Sequence, residues 1–463
     1  MTPALTLLTC LSFWLNIMQL SRGDGCARSS DPAFQKPFIV VWNIPTMNCQ
    51  KCYGVSLPLR VFDIVENQGS HFCGQNITIL YKNKFGFYPY ITKDGSWVNG
   101  GIPQNMNLKK HLVQASSDIH DLLNRDFQGL AVIDWEEWRP QWNQNWGFKK
   151  VYKEASTEWV LRKYPRLPKK EAISFAKLEF ERTAQVLMTE TLRTAKELRP
   201  RGLWGFYGFP DCLNHNWNKG DKGTEYTGQC KAASIHRNNQ LMWLWKASTA
   251  IYPSIYLRQK LKDSITGLHY VHYRVKEALR VAGFNSSIPV LPVLVYSRVS
   301  YMHSLRFLSE RDLLHTIGES AALGAAGVVL WGDHSFSSSA RRCVNLRRNL
   351  ITSLGKYIVN VTVAAEACSA RLCSRNGRCA RRDPENLNAF LHLHPQSFHI
   401  APADGGQGDP VAVGELNGGR TLKHSEVQSR GSSYPICYKK IMKSCEHELQ
   451  GYFIINECSG GCT

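Results

Sequence analysis

Apolar residues fall along this chain in short runs with two different periods. Phe38–Trp42 (FIVVW), Ile77–Tyr81 (ITILY) and Leu130–Asp134 (LAVID) are runs of five, the length of a buried strand, and the third ends in a carboxylate. From Ile173 to Leu198 apolar side chains recur at 173, 176, 180, 184, 187, 192 and 198. That spacing predicts an amphipathic helix, which Arg199-Pro200-Arg201-Gly202 then stops. Leu203–Tyr207 (LWGFY) reads as the next strand, and Val290–Tyr296 (VLPVLVY) as another that Pro292 weakens. Ile317–Leu323 reads as helix, Gly324–Gly327 as a turn and Val328–Trp331 as a buried strand. Strand–helix units repeated over about 320 residues predict an α/β chain folded as a parallel (β/α) barrel. Such a barrel carries its chemistry at the C-terminal ends of its strands.

Leu5–Leu20 is apolar and is followed by small and polar residues. Its length suits a signal peptide over residues 1–23 and is short for a membrane span, and no other apolar run reaches spanning length. Fifteen cysteines point the same way, to an oxidising compartment; removing the leader takes Cys10 and leaves an even number. Three N-x-S/T triplets, at Asn76, Asn285 and Asn360, become candidate glycan sites in a secreted chain. With 43% hydrophobic and 20% charged residues the chain is an ordinary globular one. Its 56 basic residues against 37 acidic leave a net charge of +19, which suggests a polyanionic partner. A secretory address argues against nucleic acid. The basic clusters Lys149/Lys150/Lys153, Arg162/Lys163/Arg166/Lys169/Lys170 and Arg341/Arg342/Arg347/Arg348 are either a polyanion track or solvated helix faces. After Cys368 the spacing C-x4-C-x5-C marks a small disulfide module.

The segment Gly129–Pro140 (GLAVIDWEEWRP) carries the chemistry. Strand side chains alternate, so Asp134 and Glu136 project to the same side, about 6–7 Å apart. Adjacent carboxylates raise one another's proton affinity, which favours a protonated Glu136 acting as general acid. Trp135 and Trp138 either pack the site or stack on sugar rings. Trp142, Trp146, Trp204, Trp243 and Trp245 are expected to pack. No His/Cys grouping has metal-ligand spacing, and His392 and His394 sit in a simple alternation, LHLH. No metal or cofactor is expected.

GLAVIDWEEWRP resembles the catalytic segment of the animal hyaluronidases. The likeness continues in order through Val41-Trp42-Asn43, Asn76–Tyr81, Tyr88-Pro89-Tyr90, Gly100–Gln104, Arg199–Cys212 (RPRGLWGFYGFPDC), Trp243–Trp245, Tyr252–Tyr256 (YPSIY), Ile317–Trp331 and Tyr357–Thr362. HFCGQNITILYKN, NGGIPQ and CARRDPENLNAFLHLHP are most similar to the vertebrate type-three branch of that family.

The resemblance implies a distorted barrel over residues 36–362, an EGF-like module with an insertion over 363–437 and an atypical tail over 438–463. It implies retaining hydrolysis of hyaluronan between N-acetylglucosamine and glucuronate, with the substrate's own acetamido group as nucleophile. Glu136 matches the general acid/base, and Asp134 the residue that orients the acetamido group. Tyr207 and Tyr256 match phenols that hold that group, and Trp331 matches the wall of its pocket. Tyr81, Asn43 and Asp211 match positions in the substrate groove. Cys49 would pair with Cys343, Cys212 with Cys230, Cys368 with Cys379, and Cys373 with Cys437. Cys445, Cys458 and Cys462 depart from the family's spacing. The expected protein is a secreted or lysosomal monomer, with an acrosomal location also open to the family. A chondroitin-preferring hydrolase and a weakly active hyaluronan-binding protein are the alternatives.

Overall fold

The computed structural model describes residues 36–70, 74–216, 226–284 and 290–393, and beyond them the backbone of four short strands between 398 and 439. The expected leader, Asn285, and the tail from residue 440 lie outside the described residues.

The strands of the main body are β1 (Ile39–Asn43), β2 (Ile64–Val65), β3 (Ile77–Tyr81), the short hairpin β4 (Tyr90–Ile91) and β5 (Trp97–Val98), β6 (Leu130–Asp134), β7 (Leu203–Phe206), β8 (Leu294–Ser297) and β9 (Gly327–Trp331). Two parallel sheets form, in the orders β2-β1-β9-β8 and β3-β6-β7. Residues 251–254 join them, because Ile251 and Ser254 bridge to Val293 and Tyr296 while Tyr252 bridges to Tyr207. At the opposite seam Asn67, just past β2, donates its amide to the Ile77 carbonyl at 2.7 Å and accepts from the Ile77 N–H at 3.1 Å.

Strand alternation divides the interior in two. One cluster of buried side chains takes Ile39 and Val41 from β1, Ile77 and Ile79 from β3, Leu130 and Val132 from β6, Tyr252, Leu294, Tyr296 and Val329. The intervening positions, among them Val40, Trp42, Ala131, Ile133, Phe206, Val328 and Leu330, join a larger cluster under the helices.

The helix read from Ile173 begins at Lys169 and runs to Leu198, burying Ala176, Phe180, Ala184, Leu187 and Leu192. Its polar first turn carries no apolar period, and Glu171 there faces the positive end of the helix. The helix expected over Ile317–Leu323 is the end of a longer one that starts at Glu310, where Ser309 caps the Asp312 N–H at 3.2 Å.

A continuous helix, Gly355–Leu372, crosses residue 362 and packs against β10 (Gly377–Arg381) and β11 (Leu391–Leu393). From β10, Arg381 reaches into the main body and contacts both oxygens of buried Glu319, at 2.5 and 2.9 Å. Glu319 also meets His272 Nδ1 at 2.7 Å. Disulfides join Cys49 to Cys343, Cys212 to Cys230 and Cys368 to Cys379. Cys437 stands opposite Cys379 in the register of β10 with Pro435–Lys439, and its side chain is outside the described residues. Among the described residues no helix is long and apolar enough to cross a membrane.

Candidate active site

The inner-facing position that follows the last core residue of each strand carries the polar chemistry. Counting on by two from Val41, Ile79, Val132, Gly205 and Val329 gives Asn43, Tyr81, Asp134, Tyr207 and Trp331. From Tyr252 two further steps reach Tyr256. Register sets them side by side: Tyr81 pairs with Asp134 across β3 and β6, and Asn43 with Trp331 across β1 and β9. Tyr207 donates its backbone N–H to Ile133 at 3.0 Å, which puts it next to Asp134.

Asp134 is half-buried, Trp135 is 4% exposed and the Glu136 side chain is 54% exposed. The alternation expected of the two carboxylates therefore continues past the end of β6. Burial, then the neighbouring Glu136, push the Asp134 carboxyl up to about 7; Arg139 and Lys82 oppose that rise. The raised proton affinity in this pair is found at Asp134, its less exposed member. Asp134 Oδ1 is buried without a hydrogen-bond partner. An Arg139 nitrogen lies 3.8 Å from Glu136.

Phenols surround the pair. Burial and the charge of Glu136 push the Tyr207 hydroxyl up to about 12, and Tyr207 donates to Ser254 at 3.4 Å. Burial and Asp134 push Tyr81 to about 12. Tyr256 lies 6.3 Å from the Tyr207 ring and stacks on Trp331 at 5.9 Å. These groups are hydrogen-bond donors at any physiological pH. Asn43 is 2% exposed, and neither atom of its amide has a partner. Asp211 is set apart in the loop after Phe209, where it accepts from the Leu213 N–H at 3.1 Å and faces Arg274 at 3.9 Å.

Trp135 and Trp138 pack. Tyr88 stacks on both, at 4.6 and 5.2 Å, and Trp138 donates its indole N–H to the Pro89 carbonyl at 2.8 Å. Trp142, Trp204 and Trp245 are buried as expected. Trp146 is not: it is 63% exposed. Among the described residues no group of three or more His, Cys, Asp or Glu side chains is arranged to hold a metal ion.

A profile of the hyaluronidase family of glycosyl hydrolases matches residues 28–449. This chain belongs to the hyaluronidase family. It is 50% identical to Hyaluronidase-3 of Sus scrofa over 371 residues, which is 80% of this chain and 87% of that protein. Hyaluronidase of Crotalus adamanteus is 44% identical over 393 residues, 84% of this chain and 87% of that protein. The fold resembles bee venom hyaluronidase in complex with a hyaluronic acid tetramer, at 33% identity and a TM-score of 0.63, covering 69% of this chain and 98% of that one.

Two residues of this hyaluronidase site escape a reading of the sequence. Arg298, just past β8, lies 4.9 Å from the Trp331 ring and 5.7 Å from Tyr256, with Asp333 at 3.6 Å. Lys149 donates its ammonium to the backbone carbonyls of Glu136 and Glu137. Burial and nearby Arg139 pull Lys149 down to about 8. The signal for Arg298 was its place at the end of an apolar strand. Lys149 stands out in the sequence only as part of a basic cluster, and its role beside Glu136 does not, because its partners are main-chain atoms 13 and 12 residues away.

Proposed function

We propose that this chain is an endo-acting hydrolase that cleaves the β-1,4 bonds between N-acetylglucosamine and glucuronate in hyaluronan, with retention. The observation that carries the reading is the unequal carboxylate pair: Asp134 half-buried and holding its proton up to about 7, Glu136 exposed beside it. An exposed carboxyl can reach a leaving-group oxygen and serve as general acid, then as base for water. A buried one, ringed by phenols, can orient an acetamido group and support the positive charge that develops as its oxygen attacks the anomeric carbon. Tyr207 and Tyr256 would hold the acetamido group, Trp331 would wall its pocket, and Asn43 and Tyr81 would line the groove. The two buried amide atoms of Asn43 would gain partners from bound sugar.

On this reading the two parallel sheets are arcs of one distorted (β/α) barrel over residues 36–362, followed by an EGF-like module to about 437 and an atypical tail. The Cys373–Cys437 pair, a leader over 1–23, glycans at Asn76, Asn285 and Asn360, and secreted or lysosomal residence as a monomer belong to the same proposal.

Purified protein incubated with hyaluronan at several pH values, beside Glu136→Gln, tests it. The wild type is expected to shorten the polymer and the variant to lose at least about a hundredfold in rate. Equal rates would remove Glu136 from the mechanism. A folded wild type without activity would overturn the hydrolase reading.

A further inference from the structure

Fourteen residues after the end of β6, the chain has returned to the catalytic loop and displayed two aromatic rings to solvent. Trp146 is 63% exposed and Phe148 83% exposed, the most exposed large apolar side chain among the described residues. They flank Gly147, whose φ of +61° turns them out, and a Cβ there would meet nothing within 4 Å.

The segment is pinned by hydrogen bonds. Asn145 is fully buried; it accepts from the Arg139 N–H at 2.9 Å and donates to the Arg139 and Gln141 carbonyls at 2.9 and 3.2 Å. Trp142 donates its backbone N–H to Glu181 at 2.8 Å. Lys149 then bonds the carbonyls of Glu136 and Glu137, and its ammonium lies 5.0 Å from the Phe148 ring. Two exposed rings on a fixed loop, anchored to the backbone of Glu136, are not a product of loose ends. Two neighbouring exposed rings on a hydrogen-bonded loop form an apolar patch of the kind that binding sites present.

We propose that Trp146 and Phe148 form an outer subsite that stacks a sugar ring of an acidic polysaccharide beside the bond being cleaved. Pyranose rings present C–H faces that cover aromatic rings, and Lys150 and Lys153 on the adjoining helix (Lys150–Lys163) supply cations for the carboxylates. The occupant is the same chain that enters the catalytic site, so the inference rests on the hydrolase reading above. It adds that polymer is held outside the reacting residue.

The double variant Trp146→Ala/Phe148→Ala tests it, with Leu178→Ala, a 62% exposed residue on the long helix, as control. KM for polymeric hyaluronan is expected to rise about tenfold in the double variant and to stay unchanged in the control. The loss on polymer should exceed that on the shortest cleaved oligosaccharide by about fivefold or more. In a Glu136→Gln background, where nothing is cleaved, the same pair of changes should weaken polymer binding about tenfold. Both proteins should unfold within about 1 °C of their parents, since the side chains removed are exposed. An unchanged polymer KM, or equal losses on polymer and oligosaccharide, would overturn the subsite. Failure of the wild type to shorten hyaluronan would count against the hydrolase reading instead, with the binding arm still deciding the subsite.

Discussion

Asp134 and Glu136 share one side of the β6 terminus, yet burial falls on only one of them, and that asymmetry sets the charge of the site. Asp134 is held up to about 7, against an ordinary value near 3.8 in the unfolded chain. A raised acid favours the folded state fully below its unfolded value, and that contribution is lost as pH rises through the folded one. Asp134→Asn keeps the shape and cannot ionise. The variant is expected to melt about 2 °C or more above wild type at pH 8, with the gap closing toward pH 4. Melting curves across that range check it, and activity should fall at the same time.

The same carboxyl predicts the alkaline limb of activity. Asp134 retains its proton up to about 7. Loss of that proton places a full negative charge beside Glu136 and in the pocket proposed for the acetamido group, a charge state different from the one the site holds below that pH. The kcat/KM for hyaluronan should therefore decline above about 7, by close to tenfold per pH unit. A flat profile between 6 and 9 would contradict this assignment.

Arg298 should act through the rings it covers. Its guanidinium lies over Trp331 and Tyr256 and is paired with Asp333. Arg298→Met removes the cation and is expected to reduce kcat/KM about tenfold. Arg298→Lys restores the charge without the flat stacking surface and should recover only part of the loss. Full recovery by lysine would make charge, rather than ring geometry, the decisive property.

His111 predicts an acid weakness. It is fully buried against Trp135, its Nδ1 accepts from the Phe87 N–H at 2.9 Å, and burial pulls it down to about 4. A base depressed in the folded state contributes stability that is full above its unfolded value of about 6.5 and lost as pH falls through about 4. Thermal stability should drop across that window, and His111→Gln should flatten the slope while lowering the plateau at pH 7. His215, also pulled down to about 4, adds to the same decline.

What the sequence shows plainly is what period and punctuation encode. LAVID is β6 to the residue, because four buried positions and half-buried Asp134 stand between Gly129 and the exposed Glu136. The carboxylate pair follows from period-two alternation alone. Pattern is silent where contacts are distant or main-chain. The helix Lys150–Lys163 carries charged and aromatic side chains on most faces, so no clean apolar stripe announces it. Asp134 and Glu136 both read as carboxylates at a strand end, and only three-dimensional burial shows that the Asp134 carboxyl is pushed up. Trp146 has the composition of a packing residue, and its exposure is decided by the positive φ of Gly147 next to it.

The neighbour relation between β1 and β9 has a consequence for how the protein is made. Cys49 and Cys343 are 294 residues apart, and Asn43 meets Trp331 only through that late pairing. At about 5–20 residues per second a ribosome needs about 15–60 s between the two cysteines. Throughout that interval β1 has one edge unfilled and Cys49 lacks its native partner. The nascent chain must therefore be sheltered by whatever attends it until almost all of the main body has emerged. A message truncated before residue 327 would yield a chain that holds both carboxylates and half of their surroundings, with no strand to close the other side.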